Sequence, residues 1–348
     1  MKFGIFDWVE ASTSLSPQEV YEHKLQMAAA ADKAGFHGMF LAEHQGTPLS
    51  IDASPSVLLA AMFQRTQRLR AGALTWCLPW YDPYRFYNEI CMLDQLSGGR
   101  VELGVGRGVS PTESLVFILK TLEESRERYR ETLDAFFAAC NSPLLNFQGK
   151  HYEYRDVELY NKPVQRPWPP LWFPSSNRDS IEFTARHGYH TALMAKTADA
   201  KVLFNQYRET WDKHKGDLNR HNAHVAEPFL AKTQHIVIAE TYMEAERSGL
   251  QAYEGWKGHM HHLTRKYGRP EVHRLEPYSD DSPQRLIVGP PSTVLEKLQE
   301  AIEASGMNYL LCIFSFGNLP PQAAQRSLEM FAKEVMPRLG ATGGPASR

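Results

Sequence analysis

Cysteine is scarce in this chain of 348 residues: four, at positions 77, 91, 140 and 312, with no CxxC pair and no close Cys/His cluster. That scarcity argues against a disulfide scaffold and makes the reducing cytoplasm the expected compartment. Long apolar runs are missing too. No stretch approaches about eighteen uninterrupted apolar residues, so no membrane-spanning helix is expected, and MKFGIFDW, interrupted by Asp7, is too short for a secretory leader. An excess of one charge is also lacking. Lys and Arg number 38 against 40 Asp and Glu, a net of −2, which argues against a broadly basic nucleic-acid surface.

Two motif classes are absent as well. His259, His261 and His262 form HMHH, and His221 and His224 stand three apart, but neither group has HExxH or a neighbouring Cys/His set. No metal is expected. LGVGRG at 103–108 lacks the third glycine of GxGxxG, so a built-in dinucleotide site is not expected either. Its glycines read as steric, letting a flat cofactor or a loop approach the backbone, or relieving packing.

What is present is a strand–helix alternation along nearly the whole chain. Apolar strands are predicted over 2–6, 38–44, 70–76, 101–107, 171–176, 190–194, 230–238 and 309–316. Helices are predicted over 17–35, 55–66, 83–96, 113–140, 178–187, 200–215, 242–267, 293–304 and 321–335. LIVG, before the Pro291–Ser292 helix start, restores the rhythm near the end. The fold class is α/β, a TIM (β/α)8 barrel, with a doubly wound sheet as the rival. HYEYRDVELY at 151–160 alternates like an exposed ribbon inserted into that barrel. Residues 255–285, rich in glycine and proline, are read as an active-site lid or a surface connection. Residues 1–338 are expected to form a single domain and 339–348 a flexible tail.

In such a barrel the chemistry sits at the C-terminal strand ends. Those ends gather Phe6, Asp7 and Trp8; Glu43 and His44; Thr75 and Trp76; Arg107; Ser175 to Asn177; and Phe316. Convergent carboxylates suited to glycoside or magnesium chemistry are missing from the set. On a regular strand Glu43 and His44 face opposite ways, which makes His44 the acid–base candidate and Glu43 a supporting partner. His44 also fits a strand-end residue bonded to a loop. Arg107, with the turn Ser176, Asn177 and Ser180, offers donors for a terminal phosphate; an ordinary helix cap and a surface arginine would look the same. Phe6, Trp8, Trp76, Trp80, Tyr81 and Phe316 are candidates for an apolar substrate pocket, or for core.

Several fragments, in order, resemble the bacterial luciferase-like flavin monooxygenase family: KFGIFDW, FLAEHQ, RLRAGALTW, LDQLSGGRVELGVGRG, PLWFPSSNRDSIEFTARHG and VGPPSTVLEKLQEAI through FSFGNLPPQAAQRSLEMFAKEVMP. The resemblance covers most of the chain. It implies reduced FMN across the barrel mouth, and oxygen activated as a flavin C4a-(hydro)peroxide that oxidises a small, mainly apolar organic substrate. It places His44 at the family's catalytic histidine, and Arg107, Ser176, Asn177 and Ser180 at its phosphate-binding positions, with Ser176 where an acidic residue stands. Glu43 matches a neighbouring acidic residue at the cofactor site, with Thr75 beside it; Gly106 stands where the luciferase α-subunit has a reactive-site cysteine. The resemblance further implies a homodimer and a separate NAD(P)H-dependent flavin reductase. An F420-dependent hydride-transfer oxidoreductase shares the barrel ancestry, and a noncatalytic flavin-binding subunit is the remaining alternative.

Overall fold

Tyr309, Leu311 and Ile313 face one way along the last strand and Leu310 and Cys312 the other, and the two sets join two separate apolar clusters. One cluster fills the inside of a ring of strands; the other lies between that ring and its helices. This double burial follows from period-two alternation on strands covered on both faces. The computed structural model describes residues 1–108, 113, 121–267 and 285–341.

The ring is parallel throughout. β1 (Lys2–Asp7) pairs with β2 (Gly38–Leu41), and β2 with β3 (Arg70–Ala73). The short β4 (Trp76–Cys77) lies against β5 (Leu103–Gly106), and an Ala71–Val101 bridge joins β3 to the β5 side. An inserted antiparallel hairpin, β6 (Leu144–Gln148) and β7 (Glu153–Glu158), stands apart from the ring. β5 then pairs with β8 (Leu171–Trp172), and a Trp172–His190 bridge leads to β9 (Thr191–Leu193). β9 pairs with β10 (Leu230–Ile238), whose far end also holds β11 (Leu286–Gly289). β10 pairs with β12 (Tyr309–Ile313), and β12 returns to β1. With β3 and β4 counted as one stave, eight staves close the circuit among the described residues, those expected from the alternation, with β11 an addition outside it.

The base of the ring is plugged. The Tyr309 ring passes so close to Gly4 that a Cβ there would lie 2.5 Å from its hydroxyl. Phe40, Trp172 and Phe229 make edge or stacked contacts around it. Trp172 Nε1 donates to Glu102 Oε2 at 2.6 Å, and Glu102 pairs with Arg70. With the base filled, the inside of the ring opens at the other end.

The helices start and stop on local chemistry. Helix α1 (Pro17–Ala34) opens on a reciprocal Ser16–Glu19 capping box and closes at Gly35 in the left-handed region. Helices α2 (Pro55–Arg65) and α3 (Pro83–Ser97) both begin on proline, and Asp82 caps the second. Helix α4 (Leu122–Asn141) starts at a Thr121 cap, later than the predicted 113; residues 114–120 lie outside the described residues. Helix α5 (Arg178–His187) is capped by Asn177 and α6 spans Thr197–His214.

Other expectations need correction. Most predicted strands run past their ladders: β2 ends at Leu41 rather than 44, β8 at Trp172 rather than 176, and β12 at Ile313 rather than 316. Hydrophobicity continues there, but the backbone has left its neighbour to form the mouth. The ribbon's partner strand, Leu144–Gln148, was not predicted. The predicted lid at 255–285 is helical over its first part, in α7 (Tyr242–Met260) and α8 (His262–Tyr267); residues 268–284 lie outside the described residues. After α9 (Pro291–Ser305) the closing helix α10 (Pro321–Met330) passes through a π-helical turn into α11 (Met336–Ala341), so the expected tail is helical at its start and Leu339 is buried.

Candidate active site

Because the strands leave their ladders early, the residues just beyond them are free to line a mouth. A cavity of about 630 Å³ opens there, lined by Phe6 near the end of β1 and Trp8 after it, Glu43 and His44 after β2, Thr75 after β3, Arg107 after β5, and Ser175, Ser176 and Ser180 around the start of α5. A larger cavity of about 780 Å³ lies between α1 and α10. It is the weaker candidate, because its buried charges are already engaged. Lys24 Nζ donates to Asp7 Oδ2 at 2.9 Å, and Glu10 accepts from Gly317 N at 2.6 Å and pairs with His259 Nδ1 at 2.8 Å.

Arg107 supplies the clearest charge at the mouth. Among the described residues it has neither an ion pair nor a hydrogen bond, and its pKa is pushed down by burial first and then by the Arg126 and Arg130 charges on α4. Arg126 and Arg130 are exposed on α4, and Arg126 pairs there with Glu123. Ser176 and Ser180 add hydroxyls across the cavity, beside the first turn of α5.

His44, the acid–base candidate, lines the cavity and has a buried carboxylate partner. Its Nδ1 lies 2.9 Å from Glu113 Oε1, with the carboxylate nearly fully buried and the ring largely so. A carboxylate accepts, so it selects the Nδ1–H tautomer and leaves Nε2 for a ligand. Glu43 does something different. Its Oε2 accepts from Cys77 N at 2.6 Å and its Oε1 from the Tyr81 hydroxyl at 2.7 Å, tying the post-β3 segment to the post-β2 segment. Burial raises its pKa to about 7, against the lowering effect of those two hydrogen bonds.

Comparison with known proteins fits this architecture. Residues 1–309 match the family described as luciferase-like monooxygenase. The chain belongs to that family. It is 31% identical over 98% of both chains to an uncharacterised protein, y4wF, of Sinorhizobium fredii. It is 23% identical to the alkanal monooxygenase alpha chain of the Kryptophanaron alfredi symbiont, covering 97% of this chain and 98% of that one. The oxygenating constituent of 3,6-diketocamphane monooxygenase from Pseudomonas putida, a type II Baeyer–Villiger monooxygenase solved in complex with FMN, superposes with a TM-score of 0.80. Identity is 21%, over 97% of this chain and 99% of that one. As a luciferase-like monooxygenase, the chain is an enzyme that uses a reduced flavin.

In this luciferase-like barrel, Gly106 is a matter of space. A Cβ at Gly106 would press on the Thr75 hydroxyl, with Thr75 Cγ2 3.0 Å away. The position is therefore filled from β3's side, and the Cys77 thiol beside it has its pKa raised by burial. A thiol so held is not an activated nucleophile.

Of the predicted aromatic lining, Phe6 and Trp8 reach the cavity. Trp76 does not: it is fully buried, with Nε1 donating to Ser56 Oγ at 3.1 Å and its ring on Phe86. Tyr81 is spent on Glu43, and Trp80 packs beside Gly108. Phe316 faces the other cavity and makes an edge contact with His235. Asn177 also departs from expectation: its side chain accepts from Asp179 N at 2.8 Å and caps α5 instead of lining the mouth. Two histidines of the HMHH and 221/224 groups have other partners. His221 accepts from or donates to the Tyr189 hydroxyl at 2.6 Å and stacks on His187, while His259 pairs with Glu10.

The sequence reading missed Glu113, Phe173, Met194, Thr233, Met260 and Arg285. Thr233 carried a signal, since it shares the inward register of β10 with Ala231 and Val237. Glu113 carried none, because no local spacing ties it to His44 69 residues earlier.

Proposed function

We propose that reduced FMN lies across the mouth with its phosphate at Arg107, Ser176 and Ser180, and that a small, mainly apolar organic molecule is monooxygenated against Phe6 and Trp8. FMN is the cofactor, and when bound it supplies the reaction with molecular oxygen. The residues present fit it. The cavity is within the usual range for such ligands, and one observation carries the reading: Arg107 stands at its edge, exposed, cationic and, among the described residues, without a protein anion.

This chain's own groups then have separable tasks. Arg107 and the α5 start anchor and orient the cofactor. Phe6, Trp8 and Phe173 exclude water from the face on which the substrate sits. His44 Nε2 holds or takes a proton there, with Glu113 fixing the ring. Glu43 keeps the Cys77 to Tyr81 segment in place beneath the cofactor rather than exchanging protons with it.

The finer features belong to the same proposal. Residues 1–338 work as one barrel unit in the reducing cytoplasm, a setting supported by four free cysteines. A homodimer is supported by exposed Val57 on α2 with Met92 and Leu96 on α3, helices that pack side by side. Reduced flavin comes from a separate NAD(P)H-dependent reductase, in keeping with LGVGRG lacking the dinucleotide spacing.

The test is a reaction with FMN, NAD(P)H, a flavin reductase and a panel of apolar ring and chain substrates under labelled oxygen. Substrate-dependent oxygen uptake and one labelled atom in the product are expected. Anaerobic hydride transfer from reduced F420, with no label incorporated with FMN, would replace this reading with the deazaflavin one. Tight flavin binding without turnover of any substrate would favour a noncatalytic binding subunit.

A further inference from the structure

The mouth carries a second guanidinium. Arg285, just ahead of β11, lines the same cavity as Arg107 and is half-buried there. Strand order keeps the two apart. Arg107 follows β5, while β11 lies on β10, with β8 and β9 between them in the circuit. The backbone fixes what stands around Arg285. Its carbonyl accepts from His235 N at 3.1 Å, and the His235 ring stacks on Trp8 at 5.6 Å. Two residues earlier on β10, Thr233 donates its hydroxyl to Leu193 O at 3.3 Å, which brings Met194, the next residue, to the same side. Trp8, Met194, Thr233 and Met260 all line the mouth. This half of the mouth is thus apolar and adaptable around one cation, whereas the Arg107 half offers serine hydroxyls and a helix start.

The charge of the lining is one-sided. Of the described lining residues Glu43 alone is acidic, and its two oxygens already accept from Cys77 N and the Tyr81 hydroxyl. Behind the lining, Lys232 is fully buried on β10, its Nζ donating to Gln234 Oε1 at 3.0 Å, with no carboxylate partner among the described residues. Burial first and the Arg285 charge second push its pKa down to about 8. Such a surface favours an anion. With a flavin phosphate at Arg107, one anionic position remains.

We propose that Arg285 sets the substrate class: the mouth takes an apolar body bearing one carboxylate, the carboxylate on the Arg285 guanidinium and the body against Trp8, Met194 and Met260. This rests on the FMN reading, which gives Arg107 to the phosphate, and adds the substrate's charged group to it. A guanidinium presents a carboxylate with two parallel N–H donors in one plane. A phosphate calls for more donors, which stand at Arg107 instead. Holding one end of the molecule also fixes which part of the apolar body faces the flavin.

The experiment is calorimetric titration of FMN-saturated protein, so that the Arg107 position is occupied, with octanoate, phenylacetate and cyclohexanecarboxylate and with the primary amide of each. Acid and amide share a shape and differ in charge. Wild-type protein is expected to bind at least one acid about tenfold or more tightly than its amide. Arg285→Gln should bring that ratio close to unity through weaker acid binding, with FMN affinity unchanged. Arg285→Lys should keep part of the preference, because an ammonium retains the charge and loses the planar fork. Equal affinity for acids and amides in wild type, binding of neither set, or a preference that survives Arg285→Gln would overturn the proposal. Should Arg285→Gln fail to fold, the wild-type pairs and Arg285→Lys decide, an undiminished preference in the latter counting against it. FMN affinity is measured first. Protein that does not bind FMN brings down the FMN reading, whereas protein that binds FMN and treats acid and amide alike loses the substrate class alone.

Discussion

His44 Nδ1 sits 2.9 Å from the buried carboxylate of Glu113, and through that contact two residues 69 positions apart act as one unit at the barrel mouth. The carboxylate does not reach the cavity on its own account; it fixes which imidazole nitrogen faces the ligand. His44→Ala is expected to lower coupled product formation by about a hundredfold, the common range for one positioned acid–base group. Glu113→Ala should lower it by less, and Glu113→Gln by less again, because an amide oxygen still accepts from Nδ1–H. Product formed per flavin oxidised, with released hydrogen peroxide as the counter-measure, ranks the three. Equal activity in all of them would give the pair a purely structural role.

Removing the Arg107 guanidinium should act on binding rather than folding. Arg107→Ala is expected to weaken FMN binding about tenfold or more, in line with a charge-assisted contact to phosphate. Riboflavin binding should change little. Thermal stability should hold, since the cation taken away is exposed and is opposed by the Arg126 and Arg130 charges. Equilibrium titration with both flavins, alongside a melting curve, checks the three expectations together.

How far these sites could be read from the sequence depends on range. The barrel staves were legible because the strands are buried on both faces, so apolar runs persist at staves such as GMFL in β2 and YLLCI in β12. Their ends were not, because hydrophobicity carries on where the hydrogen-bond ladder stops. Arg107, His44 and Ser176 were legible as strand-end polar residues in an otherwise apolar pattern. Trp76 and Phe316 were misplaced for a related reason: an aromatic side chain at a strand end can turn to the core, to the mouth or to a neighbouring cavity, and only packing partners such as Ser56 and His235 decide.

The contact between Gly106 and Thr75 makes a packing prediction. A Cβ at position 106 presses on the Thr75 hydroxyl, and the two are on paired segments that cannot easily part. Gly106→Cys is therefore expected to destabilise the fold by about 1–3 kcal/mol, the usual range for overpacking. Adding Thr75→Ala should recover much of that loss by removing the opposing atoms. Chemical denaturation of the two single variants and the double variant gives the coupling, and additive effects would mean that the space is not shared.

The last prediction concerns Asp52, which is buried with its Oδ2 unpartnered. Burial raises its pKa from 3.8 to about 8, with the Glu43 and Asp7 carboxylates adding to the effect. The folded state therefore holds a proton that the unfolded chain releases at neutral pH. Stability from this group is fully present below pH about 4, declines as pH rises, and is lost by the time pH passes about 8. Glu43 follows the same sign over a narrower window, from 4.5 to about 7. Asp7 is anchored by Lys24 at 2.9 Å, so that cation is committed and cannot relieve Asp52. The wild-type melting temperature should thus fall between pH 6 and pH 9 with a slope of at most roughly 1.4 kcal/mol of stability per pH unit for each group. Asp52→Asn removes the larger of the two titrations. Calorimetry across that range is expected to show a flatter profile for Asp52→Asn than for wild type, with the variant relatively favoured at the alkaline end. Two profiles of the same slope would mean that Asp52 is solvated in solution and holds no extra proton in the folded protein.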